Sequence, residues 1–370
     1  MRVTNGEPVE IRPFIGAEAS DAELRRWYEL YTGEQSRIFP GFPLQPYADF
    51  AKVWRSPRYM DLGPRHAWGA YAGDELLGFG TVLYPDRQML DWAIVRVLVH
   101  AAHRQHGIGT ALLHEVVADA RAQGRVILAN DQVRLGSDGE RWAHAVGFAN
   151  VLRSRWQMLH VAEVDSALWD VPVPAGFRLL KWADAAPDDL VAGFAAARNA
   201  IGDAPTGESS YEHPQWTVER VRQGEADARE AGDDARYVVA VHEQTGAVAA
   251  LTGMVLRPGR LDLCWQQDTA VVESFRGHGL GRAVKAAMMR WLLVEFPELE
   301  RVVTNNAAEN VHMIRVNEQI GYVHYADIGL FEASVEQVRE RLGAIPGPRH
   351  APTTTTEAAP RTATAEEAPC

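Results

Sequence analysis

The chain has only two cysteines, Cys264 and Cys370, in 370 residues. Such low cysteine content argues against a disulfide framework and fits a reducing cytoplasm. The N-terminus lacks the basic start and apolar run of a signal peptide. The longest apolar stretch, residues 286–296, is interrupted by Arg290 and is too short to span a bilayer. We therefore expect a cytoplasmic protein that does not enter a membrane.

Basic residues are also under-represented, with 37 lysines and arginines against 49 acidic residues and a net charge of −12. This charge repels a phosphate backbone, and no run of lysine and arginine offsets it, so we expect no nucleic-acid partner. A basic or neutral small molecule fits better. The hydrophobic content of 46% is sufficient for two ordinary domains, each with its own core.

An internal repeat organises the chain. The segment RQHGIGTALL begins at Arg104, and RGHGLGRAVK begins 172 residues later at Arg276. A second pair, VGF around Gly147 and IGY around Gly321, recurs at a spacing of 174 residues. Two landmarks at nearly the same spacing indicate a duplication.

The hydrophobic pattern predicts the same elements in both copies. Strands are expected at 9–12, 66–72, 75–83 and 89–99, and at 177–180, 237–242, 248–256 and 261–272, with helices at 109–122 and 281–295. Polar turns at 73–74 and 245–246 predict hairpins. The fold class is thus α/β (α+β), with two tandem domains, each a mixed, mostly antiparallel sheet flanked by helices. We place them at 1–162 and 163–346, with a linker at 163–175 and a disordered tail at 347–370.

Both glycine turns suit a pyrophosphate. Gly107 and Gly109, like Gly279 and Gly281, stand between a strand and a helix, where the backbone can approach an anion and the helix dipole attracts it. Tight packing alone is the alternative for a single copy. Arg282 replaces the third glycine of a dinucleotide fingerprint, and the chain has no Gly-Lys-Ser/Thr, so neither a dinucleotide fold nor an NTPase is favoured.

The runs VVESFRGHGLGRAVKAAM and TNNAAENVHMIRVNEQIGY resemble the two acetyl-CoA-binding motifs of the GNAT superfamily of N-acetyltransferases. VLVHAAHRQHGIGTALL and RWAHAVGF resemble the same motifs in shorter form. The tandem arrangement is similar to that of actinobacterial acetyltransferases, the group that contains mycothiol synthase.

The resemblance implies acetyl-CoA as cosubstrate, and we expect no metal. It places the pyrophosphate on the glycine turns and the pantetheine along the preceding strand. The implied coenzyme residues of the second copy are Ala270, Val271, Val272, Arg276, Gly277, His278, Gly279, Leu280, Gly281 and Arg282, and those of the first copy are Arg104, Gly107 and Gly109.

The strand before the second turn carries four consecutive polar residues, Gln266, Gln267, Asp268 and Thr269. A buried strand rarely holds such a run without partners. Asp268 stands 172 residues after Arg96, so the first copy has no acid there. Asp268 is a candidate to accept the proton of an attacking ammonium, directly or through a water. Alternatively, Asp268 belongs to a hydrogen-bond network or is a solvated residue at the edge of the sheet.

The second motif is rich in asparagine. The amides of Asn305, Asn306, Asn310 and Asn317 can bind pantetheine or substrate, and we place Met313 in the same coenzyme site. With the glycines matched, Asn310 and Asn317 correspond to Gly136 and Ala143 of the first copy. Asn310 could instead cap the following helix, and both roles are compatible.

The general acid is not assigned. Many relatives have a tyrosine four residues before the glycine of the last motif, where this chain has Asn317 and Ala143. Tyr322, Tyr325 or a water could replace it, or the thiolate could leave unprotonated, since thiols have a pKa near 8.5. Backbone amides near residues 270–272 would meet the oxyanion.

Acceptor contacts are expected in the loop at 201–216. It offers Asp203, Glu208 and Glu212, which would favour a cationic amine, together with Tyr211 and His213. An ordinary surface connection has the same composition. The aromatic residues Phe39, Phe42, Tyr47 and Trp54 indicate either a pocket wall or a core between the domains.

These features predict an N-acetyltransferase that acetylates a primary amine of a small molecule in the second copy, with the first copy as scaffold. The alternative is a non-catalytic acyl-CoA sensor or partner-binding protein, which the missing tyrosines favour. The polar run at Asp268 argues against it. Neither the amine nor the oligomeric state follows from the sequence.

Overall fold

The computed structural model describes residues 8–59 and 62–344, so the predicted tail lies outside the described residues. This part of the chain forms thirteen strands and nine α-helices. The strands are β1 (Glu10–Pro13), β2 (Arg58–Tyr59), β3 (Gly63–Ala72), β4 (Glu75–Leu83), β5 (Trp92–Val99), β6 (Ile127–Arg134), β7 (Ala149–His160), β8 (Phe177–Ala183), β9 (Asp234–His242), β10 (Val248–Arg257), β11 (Arg260–Val271), β12 (Arg301–Ala307) and β13 (Val323–Ser334). The helices are α1 (Asp21–Ile38), α2 (Tyr47–Arg55), α3 (Ile108–Ala122), α4 (Asp138–Ala145), α5 (Val191–Arg198), α6 (Val218–Ala231), α7 (Leu280–Glu295), α8 (Val311–Glu318) and α9 (Val335–Ala344).

The predicted hairpins are present. β3 and β4 are joined at Gly73, and β9 and β10 at Gly246, both glycines having positive φ. One strand is shorter than predicted, because β5 begins at Trp92 and not at Met89. Met89 has a φ of 54° and its carbonyl accepts from the Trp92 amide, which makes a turn before the strand.

The strands form one sheet in the order β1-β3-β4-β5-β6-β13-β7-β12-β11-β10-β9-β8, with β2 beside β3. Neighbouring strands are antiparallel except β5 with β6 and β11 with β12, which are parallel. The order reads alike from both ends, as expected of a duplication. The predicted fold class, a mixed and mostly antiparallel sheet with flanking helices, is confirmed.

The last strand of each copy is exchanged with the other copy. β13 lies between β6 and β7, while β7 pairs with β12. Strands therefore cross the boundary that we predict at residue 162, and each half of the sheet is completed by the other half of the chain. The boundary itself stays a prediction.

Several hydrophobic cores follow from this arrangement. The first lies under β3–β6 and includes Phe331 from β13, and the second lies under β9–β12. Between them, Phe39 stacks on Trp156 with ring centroids 5.2 Å apart, and Phe42 packs beside it. Phe39 and Phe42 thus lie in a core between the copies, and Phe39 also lines a cavity in the first copy. Trp54 belongs to a core within the first copy, and Tyr47 packs at its edge.

The predicted linker packs closely on the second copy. Trp169 is buried, and its indole N–H donates to the carbonyl of Ile320 at 2.9 Å. Val164 lies against Gly321. The chain therefore joins the second core well before its first strand. Across residues 8–59 and 62–344, no helix is long and apolar enough to cross a membrane.

Candidate active site

The two glycine turns share one geometry. Gly107 precedes α3 with a φ of 80°, and Gly279 precedes α7 with a φ of 76°. This left-handed conformation favours glycine and leaves the first amides of each helix available to an anion. The other predicted residues of the second copy lie in its glycine turn or in the first helical turn of α7: Gly277, His278, Leu280, Gly281 and Arg282. Both turns therefore fit a pyrophosphate.

Arg104 and Arg276 fix these turns to the preceding strands. The Nε of Arg104 donates to the Val99 carbonyl at 3.2 Å, and that of Arg276 donates to the Val271 carbonyl at the same distance. The other end of the Arg104 guanidinium binds the carboxylate of Glu34. The arginines thus have a structural partner in addition to the anion that the sequence predicts.

Each turn lies beside an opening in the sheet. β5 and β6 pair only from Trp92 to Ile94, and β11 and β12 pair only from Leu263 to Trp265. Beyond these residues the parallel strands separate, so the backbone groups on their facing edges are available to an extended ligand with amides of its own. A pantetheine arm has this character.

A cavity of about 530 Å³ occupies the first opening. Its lining includes Arg104, Gly107 and Gly109, so the structure brings together the coenzyme residues predicted in the first copy. The volume lies within the usual range of small-molecule sites. Four apolar residues form part of the wall, namely Leu113, Ala143, Phe148 and Phe331.

The second opening has polar residues at the corresponding positions. Lys285, Asn317 and Tyr322 replace Leu113, Ala143 and Phe148, and Gln157 of β7 replaces Phe331 of the exchanged strand β13. These four residues, Gln157, Lys285, Asn317 and Tyr322, are at most 2% exposed. The Asn317 amide donates to Gln157 Oε1 at 2.9 Å, and Lys285 Nζ donates to Gln266 Oε1 at 2.8 Å. We name these four residues the polar floor.

The strand before the second turn contains a β-bulge. Thr252 pairs with Thr269 and Met254 with Gln266, so Gln267 and Asp268 together oppose Gly253. In the first copy the ladder between β4 and β5 is regular, and Arg96 lies opposite Thr81. Bulges redirect side chains and are frequent beside active sites. The two copies therefore differ in backbone as well as in sequence.

The bulge turns Asp268 towards α5. Its Oδ2 accepts from Arg198 Nη2 at 2.8 Å, and the Arg198 guanidinium lies 3.3 Å from the centre of the Trp216 ring. Burial, and secondarily the Asp268 charge, raises the pKa of Tyr211. The side chain of Asp268 is still 36% exposed. Asp268 thus belongs to a network, as one of our alternatives holds, yet remains accessible to a ligand.

Gln266 and Thr269 of the same polar run have partners, as expected, whereas Gln267 is exposed. Gln266 Nε2 donates to the Gly253 carbonyl at 2.6 Å and to Thr252 Oγ1 at 2.9 Å. The hydroxyls of Thr252 and Thr269 are 2.8 Å apart. Gln266 accepts a hydrogen bond from Lys285 of α7, and Asp268 accepts one from Arg198 of α5. Side chains of the polar run therefore contact helices on both faces of the sheet.

The asparagines divide by role. Asn310 caps α8, accepting from the Met313 amide at 3.2 Å, which confirms the capping interpretation. Asn305 is exposed. In the described part of the chain, Asn306 Nδ2 is buried without a partner, as is Asn317 Oδ1. Both atoms can bind a ligand in the second opening.

Two of the three predicted backbone donors are corrected. The Val272 amide donates to the Ala249 carbonyl at 2.9 Å and is not free for an oxyanion. Because backbone groups alternate along an antiparallel strand, Val271 faces the opening and Ala270 faces β10. The Val271 amide is then the remaining candidate of the three.

The predicted acceptor residues do not form one site. The Asp203 carboxylate binds Arg276 at the glycine turn, and its role as an amine contact stays a prediction. The Glu208 amide donates to the Val151 carbonyl at 2.8 Å, and the Glu212 carbonyl accepts from Gln88 at 2.9 Å. The loop that carries Glu208 and Glu212 is therefore attached to the first half of the chain.

Tyr211 and His213, from the same loop, lie closer to Asp268. Their rings are 5.2 Å apart, and the Asp268 charge acts on Tyr211. Gln88, from the turn before β5, also accepts from Arg220 at 2.7 Å. The space in front of Asp268 is therefore bordered by both halves of the chain.

The two tyrosines considered as general acids are poorly suited to that role. Burial raises the pKa of Tyr322 well above its usual value, so this phenol gives up its proton less readily than usual. The Tyr325 hydroxyl donates to the Pro40 carbonyl at 3.1 Å, in the contact between the copies. Neither replaces the missing tyrosine at Asn317.

Four residues of the site are absent from the sequence predictions: Gln88, Gln157, Arg198 and Lys285. Lys285 ends the repeated motif where the first copy has Leu113, so comparison of the copies contained a signal for it. Gln88 and Gln157 have no such signal, because the first half of the chain contributes them to the second opening.

Comparison with known proteins identifies this architecture. The family described as "Acetyltransferase (GNAT) family" matches residues 24–136 and 200–322, together more than half of the chain. The chain belongs to this family. It is an N-acetyltransferase with two GNAT units in tandem, and acetyl-CoA is the cosubstrate of the family.

Individual relatives agree. A mycothiol acetyltransferase of Saccharomonospora viridis is 27% identical over 272 residues, 70% of this GNAT chain and 81% of the relative. A tandem GNAT protein from the clavulanic acid biosynthesis pathway is 25% identical with a TM-score of 0.70, over 89% of this chain and 99% of the other. A GCN5-related N-acetyltransferase from Sphaerobacter thermophilus shares the fold, with 14% identity and a TM-score of 0.66 over 88% and 96% of the chains.

Proposed function

We propose that this chain transfers the acetyl group of acetyl-CoA to a primary amine of a small molecule, and that the second copy performs the chemistry. The observation that carries this proposal is the bulge at Gln267 and Asp268. It turns the Asp268 carboxylate towards Arg198 of α5, while the regular strand of the first copy has Arg96 at the corresponding position.

Asp268 accepts the proton of the attacking ammonium, directly or through a water. Arg198 holds the carboxylate in place at 2.8 Å, and the Tyr211 and Trp216 rings lie beside this pair. A carboxylate bordered by aromatic rings suits an alkyl ammonium, because rings and carboxylate both attract a cation. The relative named mycothiol acetyltransferase supports an acceptor of small size.

The first copy serves as a scaffold that retains a coenzyme-sized cavity. Arg96 binds Gln132 across the first opening, and neither residue can take a proton from an ammonium at neutral pH. The cavity of about 530 Å³ still offers the glycine turn and an apolar wall. Binding of coenzyme A without turnover is the role that fits these residues.

Matched substitutions at the two turns test the asymmetry. Gly279→Asp and Gly107→Asp each place a carboxylate where the pyrophosphate would lie, and Asp tolerates both the cap position and a positive φ. We expect Gly279→Asp to reduce amine acetylation at least 100-fold, measured with acetyl-CoA and a panel of amines, and Gly107→Asp to retain most of it.

Equal losses from the two variants would contradict chemistry confined to the second copy. Tight coenzyme binding by the unaltered protein without an acetylated product from any amine would contradict the amine transfer and support a sensor instead. Mass spectrometry under gentle conditions would count the coenzyme molecules retained by each variant.

A further inference from the structure

Lys285 is a buried cation without a counterion among its described contacts. It lies in the second turn of α7, is 1% exposed, and donates from Nζ to Gln266 Oε1 at 2.8 Å. Its Nζ is 5.4 Å from the centre of the Tyr322 ring. Burying an ammonium beside an amide and a ring is costly, because neither neutralises the charge. The fold alone does not require this residue, since Leu113 fills the same position in the first copy.

The position of Lys285 connects it to the thiol end of the coenzyme. Leu113 and Ala143 line one cavity in the first copy, and Lys285 and Asn317 occupy their positions in the second. Asn317 stands where the family resemblance expects the tyrosine that protonates the thiolate. The opening that lacks this phenol therefore holds a buried amine on the neighbouring helix.

We propose that Lys285 protonates the departing thiolate of coenzyme A in the second copy. The inference rests on the proposed function, because it assigns a group to that same reaction. When the tetrahedral intermediate collapses, the carbon–sulfur bond breaks and its electron pair stays on sulfur. The sulfur then takes a proton from the Lys285 ammonium, which becomes a neutral amine. Asp268 has received the first proton of the acceptor ammonium, and the second proton that the nitrogen loses as the amide forms passes to water. Lys285 then takes a proton from solvent and Asp268 returns one to it, so the cycle releases one proton overall.

The surroundings of Lys285 suit this role. Burial lowers the pKa of Lys285 to about 7, below that of a free thiol near 8.5, so transfer to the thiolate is favourable. The titratable group beside Lys285 is the Tyr322 phenol, which itself lies near the Cys264 thiol of β11, and burial raises the pKa of both. Asp268, also on β11, is bound by Arg198 from α5. The charge on Lys285 therefore has no permanent neutraliser among these groups.

Lys285→Met tests the proposal through turnover. It keeps the length of the side chain and removes the proton. We expect kcat to fall about 100-fold, in line with the loss of a general acid, and KM for acetyl-CoA to stay within threefold. In the unaltered protein kcat should decline as pH rises above about 7, because the ammonium is the donor, and this decline should vanish in the variant.

Asn317→Tyr in the Lys285→Met background is the rescue. It places a phenol at the position where the family expects one and should recover at least tenfold in kcat. Lys181→Met, at an exposed lysine beside the Trp291 ring, is the control and should leave kcat unchanged. A Lys285→Met variant with unaltered kcat and an unaltered alkaline decline would overturn the proposal.

A second measurement does not need an acceptor. Coenzyme A with a free thiol is bound to the full chain and titrated by thiolate absorbance near 240 nm. A lysine that can carry a proton beside the sulfur stabilises the thiolate more than a methionine does, so the bound thiolate should form at lower pH in the unaltered protein than in Lys285→Met. Coenzyme A bound at the first copy gives the same absorbance change in both proteins, so it does not affect the difference between their titrations.

The two measurements separate the proposals. Identical thiol titrations in the two proteins would overturn the role of Lys285 even if the chain acetylates an amine. A thiolate that forms at lower pH in the unaltered protein than in Lys285→Met, with no product from any amine, would retain Lys285 at the sulfur and contradict the proposed acceptor.

Discussion

Individual residues differ between the two openings in a consistent direction. Where the first copy has Leu113, Ala143 and Phe148, the second has Lys285, Asn317 and Tyr322, equally buried. Polar groups in such positions cost free energy unless each finds a partner. Tyr322 Oη and Asn317 Oδ1 have none among the described residues. The polar floor is therefore less stable than its apolar counterpart, as expected where binding or chemistry requires the groups.

Replacement of Lys285 should make the protein more stable in a pH-dependent manner. The pKa of Lys285 is about 7 in the folded chain and about 10.4 when unfolded. Between these values the unfolded chain binds more protons, so the free energy of unfolding rises with pH across this window. Below pH 7 Lys285 is protonated in both the folded and the unfolded chain, so the folded state carries the full free-energy cost of burying the charge.

We therefore expect Lys285→Met to raise the free energy of unfolding at pH 6 by about 2–4 kcal/mol, and the gain to shrink towards pH 10. Urea titrations at several pH values measure this. Lys181→Met, at an exposed lysine beside the Trp291 ring, is the control and should show no such pH dependence. A gain that is constant from pH 6 to 10 would mean that Lys285 is not buried as a titrating group.

At the scale of an element, the bulge in β11 distinguishes the second copy from the first. A regular ladder would place successive side chains on alternating faces, as at Arg96 in β5. The extra residue opposite Gly253 interrupts that alternation at Gln267 and Asp268. It lets Gln266 reach Lys285 while Asp268 reaches Arg198 on the opposite side of the sheet.

Deletion of Gln267 should convert β11 into a regular strand like β5. We expect the chain to fold, because the first copy has the same sheet without a bulge, and to lose at least 100-fold in amine acetylation, because the carboxylate is no longer held as it is now. Circular dichroism and calorimetric titration with coenzyme A check the fold and the glycine turn. Activity above a tenth of the unaltered protein would contradict the role of the bulge.

At the scale of the whole molecule, the exchange of β7 and β13 makes the two copies interdependent. β7 from the first half supplies Gln157 to the second opening, and β13 from the second half supplies Phe331 to the first. Phe39 and Phe42 pack on Trp156 and Trp265 in the contact between the halves. Neither half has a complete sheet or core without the other.

A chain divided after residue 162 should therefore behave as two parts of one fold. We expect fragments 1–162 and 163–346, produced separately, to aggregate or stay unfolded because their unpaired strand edges and apolar faces are exposed. Produced together, they should co-purify as an equimolar complex. Either fragment folding alone as a stable monomer would show that the exchanged strand is dispensable.

The sequence by itself determined the features that depend on local chemistry. Turns at Gly107 and Gly279 follow from the need for positive φ before a helix, and the hairpins from short polar turns between strands. The duplication predicted the fold class. The run around Asp268 indicated that the two copies differ in function, because a buried strand needs partners for polar residues.

Only the tertiary structure decided which half of the chain completes each opening. The exchange of β7 and β13 depends on pairing between residues far apart in sequence, which local patterns do not encode. The same long-range packing turned Asp203 towards Arg276, engaged the Val272 amide in the sheet, and brought Gln157 to Asn317. Sequence differences between the copies place Lys285, Asn317 and Tyr322 of the polar floor in the second copy, and only the exchange of β7 adds the fourth residue, Gln157.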